Sequence, residues 1–287
     1  MTPNWINPGL YPFTPKEFSL PAGRMRYVDE GTGEPLVMVH GNPSWSFEFR
    51  DLIKRFSETH RCIAPDHIGF GLSDKPTNWD YLPNGHAENL ESLLEALDLQ
   101  NITLFVGDWG GPIGLSYAIN HPERIKSILI TNTWMWSAKN DWYYRGFSGF
   151  FGGSIGRWLI RKYNFFANTL LKFLYGDKSK LTPEIHRHYL EPLANPEQRK
   201  GNWVFPGQII AASDWLAGLW SQREALEDKI KLIAWGMKDI AFREKELNYW
   251  TEHFPGVRVI RYPSAGHFLA EEKPGELVRE LDAIFLK

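Results

Sequence analysis

Phe105-Val106-Gly107-Asp108-Trp109-Gly110-Gly111 is the stretch on which the reading of this chain turns. An apolar run enters it as a strand, glycines flank its centre, and the helical stretch Ile113 to Ile119 follows. A strand-to-helix turn of that shape is strained and holds its apex side chain clear of the backbone, and the glycines allow the close packing this needs. Serine is the usual apex residue. Here the apex is Asp108, so a carboxylate stands where a hydroxyl would. A carboxylate can displace a leaving group from saturated carbon, and water can then hydrolyse the resulting ester. Taken alone, the same residues also read as an aspartate at a helix N-cap with glycines for packing.

Three other segments keep it company. His40-Gly41-Asn42-Pro43 follows the apolar run Leu36 to Val39 and places a tight turn at the carboxyl end of a second strand, where ligands of open α/β sheets bind. Ala234-Trp235-Gly236-Met237-Lys238-Asp239 puts an acid just beyond a late strand. Ser264-Ala265-Gly266-His267-Phe268 puts a histidine in the loop after the last one. Nucleophile, acid, histidine is the chain order of the α/β hydrolases. Asp66 rivals Asp239 as an acid at a strand end, although its glycine-rich surroundings read as a turn, and Asn42 also reads as an Asx turn before Pro43. The other eight histidines, from His40 to His253, read as structural or surface residues.

Around these segments the chain alternates. Strand-like runs at Met25–Asp29, Pro35–His40, Cys62–Asp66, Ile102–Gly107 and Ser127–Thr131 are separated by helical patterns, among them Glu88–Leu97 with Leu90, Leu93, Leu94 and Leu97 at helical spacing. Such alternation predicts a mostly parallel sheet covered by helices on both faces. The pattern breaks after Trp134 and resumes with strands at Lys231–Trp235 and Val257–Tyr262 and a helix at Glu276–Leu286. Residues 134–227 therefore read as an inserted helical cap on a main domain of 1–133 and 228–287, with Trp136, Phe147, Phe151 and Trp215 expected to line a pocket over Asp108.

Composition narrows the class. In 287 residues, 43% are hydrophobic and 23% charged, which fits a globular chain and excludes a disordered or fibrous one. A net charge of −2 gives no basic excess for nucleic acid. The single Cys62 excludes an intramolecular disulfide and reads as a small buried hydrophobe in a reducing compartment. The start, Met1-Thr2-Pro3-Asn4-Trp5, lacks the features of a secretory signal, and no run of about 18 apolar residues occurs, so a cytoplasmic protein with no membrane partner is expected.

Together, the Asp-Trp-Gly turn, the His-Gly-Asn-Pro turn, the late acid and the final histidine resemble the haloalkane dehalogenases of the α/β-hydrolase superfamily, over nearly the whole length. The turn Ala64-Pro65-Asp66-His67-Ile68-Gly69-Phe70-Gly71-Leu72-Ser73-Asp74 is similar to one shared across that superfamily. The resemblance implies an α/β-hydrolase fold, a mostly parallel eight-stranded sheet flanked by helices, and neither cofactor nor metal. It implies a triad of Asp108, Asp239 and His267, with Trp109 and Asn42 donating side-chain N–H groups to the departing halide and their backbone N–H groups forming an oxyanion hole. In the family the acid follows either the sixth strand or the seventh. Ile130-Thr131-Asn132-Thr133 offers no carboxylate, and Asp239 fits the later place, which resembles the subfamily with an Asp-His-Asp triad and Asn and Trp donors.

The expected reaction is hydrolytic removal of halide from a haloalkane through an ester on Asp108. Its expected partners are an apolar halogenated substrate, halide and water, and self-association is left open. The alternative is an epoxide hydrolase with the same nucleophile and two cap tyrosines as acids, drawn from Tyr143, Tyr144, Tyr163, Tyr175 and Tyr189.

Overall fold

A computed structural model of the chain describes residues 3–285; Met1 and Thr2 of the start quoted above, and Leu286 at the end of the expected last helix, lie outside them. Eight strands form one sheet in the order β1-β2-β4-β3-β5-β6-β7-β8. They are β1 (Lys16–Leu20), β2 (Gly23–Glu30), β3 (Pro35–Val39), β4 (Arg61–Asp66), β5 (Ile102–Gly107), β6 (Ile125–Thr131), β7 (Ile230–Gly236) and β8 (Arg258–Tyr262). β2 alone runs against the others, antiparallel to both β1 and β4, and the remaining pairs are parallel. The central strands are buried along nearly all their length and mostly apolar because both faces are covered. Leu36, Met38, Phe105, Leu129 and Leu232 pack into one core, while Val37, Val39, Leu104, Val106, Ile128 and Ile233 pack into the other. That alternation along each strand is the period-2 geometry of a pleated backbone.

Flanking the sheet are α1 (Arg50–Phe56), α2 (Pro83–Ala96), α3 (Gly110–Asn120) and, after β7, α10 (Glu244–His253), α11 (Leu269–Glu272) and α12 (Pro274–Phe285). Between β6 and β7 the described chain contains helices only: α4 (Trp142–Gly152), α5 (Ser154–Tyr163), α6 (Leu171–Leu174), α7 (Pro183–Leu190), α8 (Lys200–Ala211) and α9 (Ser213–Ser221), with shorter helical turns between them. Among the described residues no helix is long and apolar enough to cross a membrane. Cys62 is buried in β4, and burial pushes its thiol up to about 12.

The strand missing from the sequence reading is β1. It lies on the edge of the sheet and is largely exposed, and its Lys16 pairs with Asp29 of β2, so it carries no apolar run to betray it.

One buried ion pair ties the turn after β3 to the segment after β8. Arg50 at the head of α1 grips Glu271 of α11 through both carboxylate oxygens, and Tyr189 of α7 donates to the same carboxylate. Removing one member strands a charge in the interior. Arg50→Ala is therefore expected to cost about 3–5 kcal/mol, read in urea as a lower midpoint with an unchanged slope.

Candidate active site

Parallel register brings the carboxyl ends of β3, β5, β6 and β7 to one edge, and each continues into a segment of the site. Asp108 follows β5 with φ +48°, a left-handed backbone that a non-glycine residue adopts only under strain. The neighbouring glycines explain how the turn fits. A Cβ on Gly110 would collide with the carbonyl of Val39, one on Gly111 with the hydroxyl of Thr133, and one on Gly41 with the Asp108 carboxylate itself. α3 begins at Gly110, so Asp108 projects at the point where strand becomes helix.

The carboxylate is met from two sides. The backbone N–H of Asn42 donates to Asp108 Oδ1 at 2.7 Å, and the backbone N–H of Trp109 also favours its charged form. Burial works against them and holds the Asp108 carboxyl above its usual range. Across the cleft, His267 Nε2 lies 3.6 Å from Asp108 Oδ2, and His267 Nδ1 lies 2.8 Å from Asp239 Oδ2. Burial pulls the His267 imidazolium down. The Asp239 carboxylate beside it, with Asp108 beyond, outweighs that and raises the group to about 9.

Asp239 is itself fixed. Its Oδ1 accepts the Ala241 N–H at 2.7 Å, and its Oδ2 accepts Asn132 Nδ2 at 3.0 Å. Asn132 in turn exchanges hydrogen bonds with the backbone of Gly236, at 2.8 and 3.1 Å. The sequence reading noted only that Asn132 is not an acid; its task as the clamp on Asp239 depends on β6 and β7 being neighbours, which spacing alone does not reveal.

Asp66 points elsewhere, its two oxygens accepting the backbone N–H groups of Ser46 and Leu72 at 2.8 Å each. His40 is spent in the same way. Its Nδ1 bonds the Gly41 carbonyl at 2.7 Å and its Nε2 accepts the His67 N–H at 3.0 Å, which pins the turn that carries Asn42.

A largely apolar cavity opens over Asp108, leaving about 70 Å³ for the centres of water-sized molecules, and is lined by Asn42, Trp109, Trp134, His267 and residues of the helical segment. Phe147, Phe166, Leu170, Leu174, Pro206 and Ile209 form its far wall. Of the four aromatics expected there, Phe147 alone lines it. Trp136 packs instead against Trp220, Tyr249 and Trp250, Phe151 stacks on Phe165, and Trp215 borders a separate surface pocket. Large apolar side chains such as Trp142, Phe150, Ile155 and Trp158 also stand exposed in this segment, so which of its aromatics turn inward was not set by sequence. Trp109 is held edge-on to Trp134 at 4.6 Å and stacked on Phe205 of α8 at 4.9 Å, and Phe205 also stacks on His86.

None of the tyrosines named for an epoxide reading is aimed at Asp108. Tyr143 and Tyr144 border the cavity but donate their hydroxyls to the carbonyls of Ile240 and Ala241. Tyr189 donates to Glu271, Tyr175 is fully buried, and Tyr163 is exposed.

A parallel sheet, a strained elbow after β5 and an acid and histidine after later strands define an α/β hydrolase, and the family described as alpha/beta hydrolase fold matches residues 34–274. Haloalkane dehalogenase 2 of Mycobacterium tuberculosis is 36% identical over 273 residues, covering 94% of each chain. A cis-3-alkyl-4-alkyloxetan-2-one decarboxylase of Shewanella oneidensis is 35% identical over 287 residues, covering 95% of this chain and 88% of that protein. In fold, the crystal structure of the haloalkane dehalogenase DatA of Agrobacterium tumefaciens C58 superposes with a TM-score of 0.84 at 23% identity, covering 97% of this chain and 98% of that one. This chain belongs to the haloalkane dehalogenase family, hydrolases that act on carbon–halide bonds.

Proposed function

We propose that the chain hydrolyses haloalkanes to alcohol, halide and a proton through an ester on Asp108. What supports the reading is that Asp108, Trp109, Asn42 and His267 line one largely apolar cavity, with His267 held between the Asp108 and Asp239 carboxylates. Asp108 attacks carbon and the halide leaves towards Trp109 Nε1–H and the Asn42 amide. Both are neutral donors, so an anion gains hydrogen bonds there without a competing proton acceptor.

Alkylation turns Asp108 into a neutral ester. One of the three carboxylates that hold the proton on His267, Asp108 beside Asp239 and Glu48, is thereby lost, and the imidazole is freed to act as base. His267 then takes a proton from water, Asp239 stabilises the imidazolium, and the Asn42 and Trp109 backbone N–H groups receive the developing oxyanion. Residues 134–227 act as the cap that excludes bulk water and shapes the substrate.

Resemblance to the oxetan-2-one decarboxylases favours a second reading, in which Asp108 opens a strained alkyl β-lactone and the leaving group is a carboxylate. The apolar far wall suits two alkyl chains as well as one. The epoxide alternative is not favoured, because the tyrosines at the cavity spend their hydroxyls on carbonyls.

Bromoalkanes, chloroalkanes, alkyl β-lactones and epoxides offered in parallel test these readings. Halide release with equimolar alcohol is the expected result. β-Lactone turnover with no halide release from any haloalkane would overturn dehalogenation in favour of the second reading. Trp109→Leu and Asn42→Ala are each expected to lower bromoalkane turnover about tenfold or more, measured as steady-state halide release.

A further inference from the structure

Adjoining the substrate cavity at Asp108, Asn42 and His267 lies a second and smaller hollow, lined also by Gly41, Ser44, Glu48 and Thr131. It leaves about 10 Å³ for the centre of a water molecule, room for about one. Asp108 and His267 border both spaces. A water in the small hollow therefore has the ester carbon and the base within reach without displacing alkyl chain.

Glu48 is the one carboxylate of that lining besides Asp108. Its Oε2 accepts the Ser44 hydroxyl at 2.5 Å, which leaves the other oxygen without a bond to Ser44. It stands in Trp45-Ser46-Phe47-Glu48-Phe49, a stretch otherwise buried in the core, and no step so far uses it. Burial pushes its carboxyl up to about 7, against the Ser44 hydrogen bond and the nearby His267, with Glu271 and Asp108 adding to the rise. Tyr175, Tyr189 and Arg50 also face this corner, and Arg50 and Tyr189 are bound to Glu271.

We propose that the small hollow holds the hydrolytic water and that Glu48 binds its second hydrogen while His267 takes the first. The inference rests on the ester reading above. As the water oxygen bonds to Cγ of Asp108, one hydrogen passes to His267 Nε2. The bond from Cγ to the alkoxy oxygen breaks, and the alkoxide takes that proton from His267 and leaves as alcohol. The other hydrogen remains on the new Asp108 carboxylic acid and is the net proton of the reaction. Glu48 accepts it, restores the Asp108 carboxylate, and passes it to solvent.

Single-turnover kinetics with a bromoalkane test this. Wild type should release one equivalent of halide and then hydrolyse the ester at a rate that rises with pH as Glu48 and His267 lose their protons. In Glu48→Gln the halide burst should persist while ester hydrolysis slows about tenfold or more, with alkylated protein visible by mass. Loss of the anion beside His267 lowers the imidazolium, so the remaining pH limb should move down. Glu48→Asp should recover part of the rate. Ser44→Ala removes a bond that favours the Glu48 anion and should move the wild-type limb up, which tests the idea independently of how Glu48→Gln folds. A Glu48→Gln plateau equal to wild type, with or without a shifted limb, overturns the inference alone. Alcohol carrying ¹⁸O from labelled water in the first turnover overturns the ester reading and this inference with it.

Discussion

Asp108→Ala is expected to lower halide release by at least about 10⁴-fold, because removing the attacking group of a covalent mechanism leaves only binding and the donors. The fold should survive. Asp108 sits at φ +48° with a carboxyl that burial holds above its usual range, so its charge is tolerated by the site and is not a support for it. Alanine keeps the backbone strain, whereas Asp108→Gly relieves it and should melt at least as high as the alanine variant. Circular dichroism melts beside a halide assay check both halves. An Asp108→Ala protein that keeps a tenth of wild-type turnover would remove Asp108 from the nucleophile's role.

His267→Phe carries the second large effect, and it separates the two chemical steps. Its Nε2 is 3.6 Å from Asp108, near enough to serve a water at the ester and not needed for attack on carbon. The variant should release one equivalent of halide and stop, holding an alkyl ester that appears as a mass increase. In ¹⁸O-water, one wild-type turnover should yield alcohol with the ordinary oxygen of Asp108 and place the label in the enzyme. Labelled alcohol in that first turnover, with no ester in His267→Phe, would mean that water attacks the substrate directly.

How far these residues could be found without coordinates depends on what each one needs. Asp108 and Asp239 each follow an apolar run that ends in a turn, and a strand buried on both faces writes that signal into consecutive residues, whereas His267 follows the half-exposed β8 and was found from the Ser264-Ala265-Gly266-His267 turn. The positions of the central strands along the chain came from the same source, to within a residue or two at their ends. β1 did not, because an exposed edge strand has no apolar requirement to show. Nor did the cavity wall: Trp136 and Trp215 are as aromatic as Phe147, and only the packing of the helices decides which side chain turns inward. Glu48 escaped for the opposite reason. An acid in a turn reads as solvated, and its enclosure comes from β5 and the His267 loop, both distant in sequence.

The stack of His86, Phe205 and Trp109 joins α2, α8 and the elbow in one column. An enzyme built this way does not have independent knobs for substrate shape and leaving-group affinity. With Trp109 as the proposed halide donor, variation in α8 that reshapes the alkyl pocket should also tilt the indole, so libraries selected there for new chain lengths are expected to drift in product inhibition by halide, and lineages that need both properties must change them together.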